Sequence, residues 1–169
     1  SEGAVLKGCA AAPNCFSTTG DPEFDADSMI AAWKPPAAQA RDVSVQQVSN
    51  ALTTYTPGAK PGGLLVDGGG FQIVDDGSKS GYFRAMYESL KNGYIDDLEI
   101  VVDADGKSAQ VRSSSRVGFL DFGVNGKRLN LLSAELRKSG WEAPTITKKS
   151  HPNYCYQNGS PGDGAGCDL

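Results

Sequence analysis

Residues 112–130 read RSSSRVGFLDFGVNGKRLN, gathering Arg112, Arg116, Lys127 and Arg128 with Asp121, Asn125 and three serines in nineteen positions. Side chains alternate along an extended strand, so Arg112, Ser114 and Arg116 project from one side, with the arginines about 13 Å apart. A guanidinium fork matches carboxylate and phosphate, which makes an anion site one chemistry open to this stretch. The other is a cross-brace, in which the arginines answer Asp97, Glu88 or Asp121 and lock the strand to the element that follows. Asp121 and Asn125 can supply capping oxygens as the chain turns, and Gly118 and Gly123 permit the turn. The cross-brace is the expected role, with Ser113 and Ser115 on the strand's other side. Asp96-Asp97, near Glu88 and Glu99, imitates a paired-carboxylate centre, but opposite charges across a sheet explain the group equally, at up to about 1 kcal/mol per pair.

Other motifs carry less. His151 is the sole histidine and stands beside a proline in the tail, where it reads as a solvated loop residue. A Ser-His-Asp or Cys-His centre would have to use it, and no nucleophile–base pair can be named. LDFG (120–123) matches a kinase tripeptide without the rest of the kinase signature. The glycines at 68–70 lack a following Lys-Ser/Thr and read as a bend. DADGK places its glycine too early for a calcium loop and reads as a hairpin. Asn158-Gly159-Ser160 fits the glycosylation triplet, a weak pattern. No catalytic residue, metal set or cofactor is therefore expected.

Net charge is −4, which argues against binding a nucleic-acid backbone. No apolar run approaches the roughly 18 residues that span a bilayer. Cys9, Cys15, Cys155 and Cys167 form two local groups in the Gly/Pro-rich ends. Disulfides in an oxidising compartment are the expected reading, with connectivity open. A Cys₄ zinc site is the rival, but its pairs usually stand two to four residues apart. The chain starts at Ser1 without a methionine, as a mature form trimmed of a targeting segment would.

The elements that must position these groups follow from periodicity. Residues 1–43 show no period and read as an extended arm. Ser44 and Gln47 form a capping box for a helix whose stripe is Val45, Val48, Leu52 and Tyr55, stopped by Pro57 and Gly58. Residues 64–66 suggest a short strand. Residues 71–76, 82–89, 97–103 and 108–116 then alternate as four strands, with Asp105-Gly106 turning the last hairpin. A second helix at about 125–139 has Asn125 as cap, Leu129, Leu132 and Leu136 inward, and Gly140 as stop. The expected architecture is α+β: a four- to five-stranded antiparallel meander with two amphipathic helices on one face. It has a single core domain at 44–141, an arm at 1–43 and an irregular tail at 142–169, each end with its cysteine pair.

The same residues resemble the domain-of-unknown-function 1499 family over most of 9–140. Its pattern of Arg-Ser-x-Ser-Arg, Asp-Phe-Gly-x-Asn and a later arginine corresponds here to Arg112, Ser113, Ser115, Arg116, Asp121, Phe122, Gly123, Asn125 and Arg128. Cys9, Pro13, Asn14 and Cys15 precede it. The tail from 142 departs from the family core. The resemblance implies a protein of no known enzymatic activity, exported or plastid-lumenal. An acidic, disulfide-bearing chain suits the thylakoid lumen; a secreted or periplasmic place is the alternative. The expected function is a non-enzymatic extrinsic subunit or assembly factor, its terminal arms gripping a membrane protein complex such as a photosystem or its light-harvesting antenna. The alternative is a binding module, holding a small ligand between sheet and helices or an anion at Arg112 and Arg116.

Overall fold

Period-two alternation with short glycine-bearing connections produces a meander of four strands: β2 (Gly70–Asp76), β3 (Tyr82–Glu88), β4 (Ile95–Val102) and β5 (Ala109–Ser115). The computed structural model describes residues 6–59 and 65–159. A further strand, β1 (Cys15–Ser17), comes from the arm and pairs with β5, giving an antiparallel sheet ordered β1-β5-β4-β3-β2. The α+β expectation therefore holds. The fifth strand is not at 64–66: Leu64 lies outside the described residues, while Leu65 and Val66 approach a turn at 66–69. A three-residue strand is too short to display a period, which is why the arm read as irregular.

One sheet face is apolar and covered. Phe83, Ala85 and Tyr87 on β3, Leu98 and Ile100 on β4, and Ala109 and Val111 on β5 are buried. Helix α1 (Arg41–Thr53) brings Val48, Ala51 and Leu52 to this face, and α2 (Val124–Arg137) brings Leu129, Leu132 and Leu136.

Both helix starts differ from expectation. Helix α1 begins at Arg41 after Ala40, and Ser44 does not cap it. Arg41 is needed inside the element, where its guanidinium donates to the carbonyls of Ser80, Val102 and Asp103. Ser44 and Gln47 instead both accept from Gln39 Nε2, and Gln47 Oε1 also accepts from Trp141 Nε1 at 2.8 Å. Tyr55 is buried but follows the helix rather than lying in its stripe. Helix α2 has Gly123, not Asn125, at its N-cap, because Asn125 is turned into the core.

The tail carries a third helix, α3 (Pro152–Asn158), with proline in its first turn, the position where a missing N–H costs least. Tyr154 and Cys155 from it, with Trp141, Ala143 and Ile146 before it, join the main core. His151 is not a solvated loop residue. It is buried, Nε2 bonds to the Met29 carbonyl at 2.7 Å, and its ring stands edge-on to Phe16. Asp105-Gly106 does turn the β4–β5 hairpin, with Gly106 at φ 72°.

Candidate functional site

Helical spacing places Asn125, Arg128, Leu132 and Leu136 on one face of α2, so the apolar stripe has a polar head. Arg128 is fully buried there. Its Nη2 donates to Asp67 Oδ1 at 2.6 Å and to Asp96 Oδ2 at 2.7 Å, and Nε donates to Asp67 Oδ2 at 2.9 Å. Nη1 donates to Ser113 Oγ and Asn125 Oδ1 at 3.0 and 2.9 Å. All five guanidinium N–H groups are thus engaged. The Tyr87 ring lies beneath, its centre 4.5 Å from the guanidinium carbon. Burial works against the Arg128 charge, yet Asp67 and Asp96 hold its pKa well above the ordinary value. Burial also pushes the Tyr55 hydroxyl far up, with Asp67 adding to it as the acceptor of a 2.5 Å bond.

A second cluster fixes the turn between β5 and α2. Phe122 has φ 55° and Gly123 φ 82°, two successive left-handed residues. For phenylalanine that conformation costs on the order of 1–3 kcal/mol and persists only where surrounding bonds enforce it. Asn158 Oδ1, from α3, accepts the backbone N–H of both Asp121 and Phe122. Asp121 accepts from the N–H groups of Gly123 and Asn125, from Asn125 Nδ2 and from the Tyr154 hydroxyl. Burial pushes the Asp121 carboxyl above its ordinary range, opposed by these bonds. Asn158 Nδ2 is itself spent on the carbonyls of Pro13 and Tyr154. The buried amide is thus a clamp, in place of the glycan acceptor its triplet suggests.

The bend after Phe122 turns that side chain outward and opens a cleft of about 840 Å³ between the 65–67 turn, the β3–β4 loop and the β5–α2 turn. Leu65, Leu90, Tyr94, Val117, Leu120 and Phe122 supply its walls; Asp67, Asp96, Ser115 and Asp121 reach its floor, and Lys91 its lining. The volume falls within the range of small-molecule sites, which are mostly apolar with a few placed polar groups. Several wall residues are exposed, Leu90 at 64% and Phe122 at 62%, and Phe119 beside them at 62%.

The structure therefore divides the sequence-predicted residues. Ser113, Ser115, Asp96, Asp121, Asn125 and Arg128 gather under the cleft. Arg112, Arg116 and Asp97 lie on the sheet's opposite face. There Asp97 on β4 answers Arg116 at 2.7 Å and Arg84 at 3.1 Å, pairs made within the sheet rather than between the last strand and α2. The Arg116 hydrogen bond, with the nearby Arg84 charge, holds the Asp97 carboxyl below its ordinary range. Arg112 departs from the expectation: its Nε donates to the Gly8 carbonyl at 3.4 Å, and no acid bridges it among the described residues. Its cross-strand neighbour Glu99 already accepts from the Tyr82 hydroxyl at 2.6 Å. Glu88 and Asp121 likewise form no arginine bridge among the described residues. Cys9 and Cys15 are disulfide-bonded to each other. Cys155 is disulfide-bonded too, and the expectation for Cys167 lies outside the described residues. Sequence reasoning missed Asp67, Tyr55, Tyr87, Tyr154 and the structural use of Asn158. The stripe running from Leu136 back through Arg128 to Asn125 was the available signal that α2 turns charge inward.

A family model described as "Protein of unknown function (DUF1499)" matches residues 5–136. No curated protein and no solved structure matches the chain. The matched segment contains Asp67, Asp96, Asp121 and Arg128, and ends before α3. Among the described residues, no helix is long and apolar enough to cross a membrane.

Proposed function

The chain belongs to the DUF1499 family of proteins of unknown function, and from that premise we propose that it is a non-enzymatic binding module holding a small apolar or amphipathic molecule in the cleft. The observation that carries this is the cleft itself: about 840 Å³, with mostly apolar walls, acids at its floor and a few polar residues of the β3–β4 loop at its edge. The commitments of the floor acids support binding over turnover. Asp67 and Asp96 are bound to Arg128, and Asp121 holds a turn together, so each already has a structural duty. The rival anion site at Arg112 and Arg116 has less support, because Asp97 occupies the Arg116 fork. The test is titration with an environment-sensitive apolar dye. Leu90→Glu combined with Leu120→Glu should weaken dye binding at least about tenfold, since burying one such side chain is worth roughly 1.5–3 kcal/mol. Unchanged affinity in a variant with an unaltered melting temperature would move the site elsewhere.

A second reading is that the exposed rim docks the protein on a membrane protein complex, such as a photosystem or its antenna. Phe119 and Phe122, each 62% exposed, support it, because contiguous exposed aromatic surface marks interaction sites. The disulfide-bonded cysteines support an oxidising compartment, the thylakoid lumen or else the periplasm or exterior. Replacing both phenylalanines by serine should release the protein from native membranes during sedimentation. Co-sedimentation that persists, or that never occurs, removes this reading.

A further inference from the structure

The polarity of the cleft floor bears on what its occupant can be. Asp67, Asp96 and Asp121 all reach the floor, while the cation beneath them, Arg128, has its five N–H groups committed. An anionic head group entering the cleft would meet carboxylates and find no guanidinium donor left to accept it. Asp96 is the more telling residue. Its side chain is only 10% exposed, and its Oδ2 serves Arg128. Its Oδ1 receives no hydrogen bond from the described residues and is not sealed from solvent, the sealed side-chain atom without a partner among them being Tyr87 Oη, so it stays open toward the cleft. An open carboxylate oxygen beside apolar walls favours an occupant that brings a charged hydrogen-bond donor to it. Ser115 Oγ, which accepts from Asn125 Nδ2, sits on the same floor and can turn a lone pair or its proton toward the occupant. Among the described residues lining the cleft, Lys91 is the only cation, and it comes from the exposed β3–β4 loop rather than the floor.

We infer, resting on the cleft being a ligand site, that its occupant is a cationic amphiphile: an apolar body between the cleft walls with a protonated amine directed at Asp96. The amine donates to Oδ1 and offsets the excess negative charge of the floor. Low-dielectric walls strengthen that attraction relative to water and penalise a carboxylate head by the same logic.

The experiment compares three probes with one alkyl chain and different heads, dodecylamine, dodecanol and dodecanoate. Each is titrated below its micelle concentration against the apolar dye bound to the full-length protein. The expected order is amine tightest, alcohol intermediate, carboxylate weakest, with amine and carboxylate separated by about tenfold or more. Asp96→Asn, which keeps an oxygen for Arg128, should shrink that separation. Carboxylate binding equal to or tighter than amine, or an alcohol matching the amine, overturns the inference while leaving the cleft as an apolar site. Failure of the dye and all three probes to bind overturns the cleft reading itself.

Discussion

Replacing Arg128 by methionine should be among the most damaging single substitutions available in this chain. Methionine retains much of the apolar stem but removes all five donors, leaving Asp67 and Asp96 buried and unpaired in the same volume. Breaking a buried ion pair from one side costs roughly 3–5 kcal/mol, because the surviving charge keeps its desolvation penalty. Loss of the contact with Tyr87 adds to this, cation–π contacts contributing about 0.5–2 kcal/mol. Against a typical domain stability of about 5–15 kcal/mol, the variant would be marginal. The contrast is Arg116→Met on the other sheet face. Its pair with Asp97 is 44% and 21% exposed, so water screens it and the loss should be far smaller than that of Arg128→Met. Urea denaturation followed by tryptophan fluorescence measures both, since Trp33 and Trp141 are buried. Adding Asp67→Asn and Asp96→Asn to Arg128→Met removes the stranded charges and should recover part of the loss. A deficit within about 1 kcal/mol of wild type for Arg128→Met, or a triple variant no more stable than the single one, would refute the electrostatic account.

Tyr154→Phe removes one hydroxyl that donates to Asp121 and accepts from Gly126, and should cost roughly 1–3 kcal/mol in thermal denaturation; a neutral result would mean that this hydroxyl adds nothing net to the hold on α3. Converting Cys9 and Cys15 together to alanine opens a short covalent loop and should lower stability by about 2 kcal/mol, read from the denaturant midpoint. Burial raises the Tyr55, Tyr87 and Tyr154 hydroxyls above the ordinary value of 10.0. Folded-state values raised above unfolded ones mean that this stability is fully present below pH 10.0 and lost as pH climbs beyond it, so the urea midpoint should fall in the alkaline range; a flat midpoint there counts against the buried-phenol assignment.

Much of the scaffold was legible because its signals are local. Strands β2 to β5 alternate over seven or eight residues each and are joined by short turns, and the leucines of α2 repeat at helical spacing. Elements β1 and α3 were not legible, since three and seven residues carry too little period to stand out from turn-rich surroundings. The site was half legible. Its serines, Asn125, Asp121 and Asp96 drew notice as polar residues in a distinctive stretch. Arg128 stood out only as a position of the family pattern, with nothing to mark it as fully buried, a rare place for arginine. Its chief partner, Asp67, stands 61 residues upstream beside the glycine run, where nothing local reports the pairing. Arg112 and Arg116 drew the most interest, and lie on the face away from the cleft. Strand parity assigns Ser113 and Ser115 to the opposite side from them but cannot say which side is covered.

Asn158 is anchored beyond the segment shared with the family, yet it holds the backbone beside Phe122 and also grips the Pro13 carbonyl. The N-terminal arm and α3 are thereby joined at the β5–α2 turn, whose residues line the cleft. A fragment trimmed to residues 5–136 would keep the buried arginine and its acids but lose the clamp on the turn that carries Phe122. The left-handed Phe122 backbone therefore depends on a residue that lies outside the matched segment.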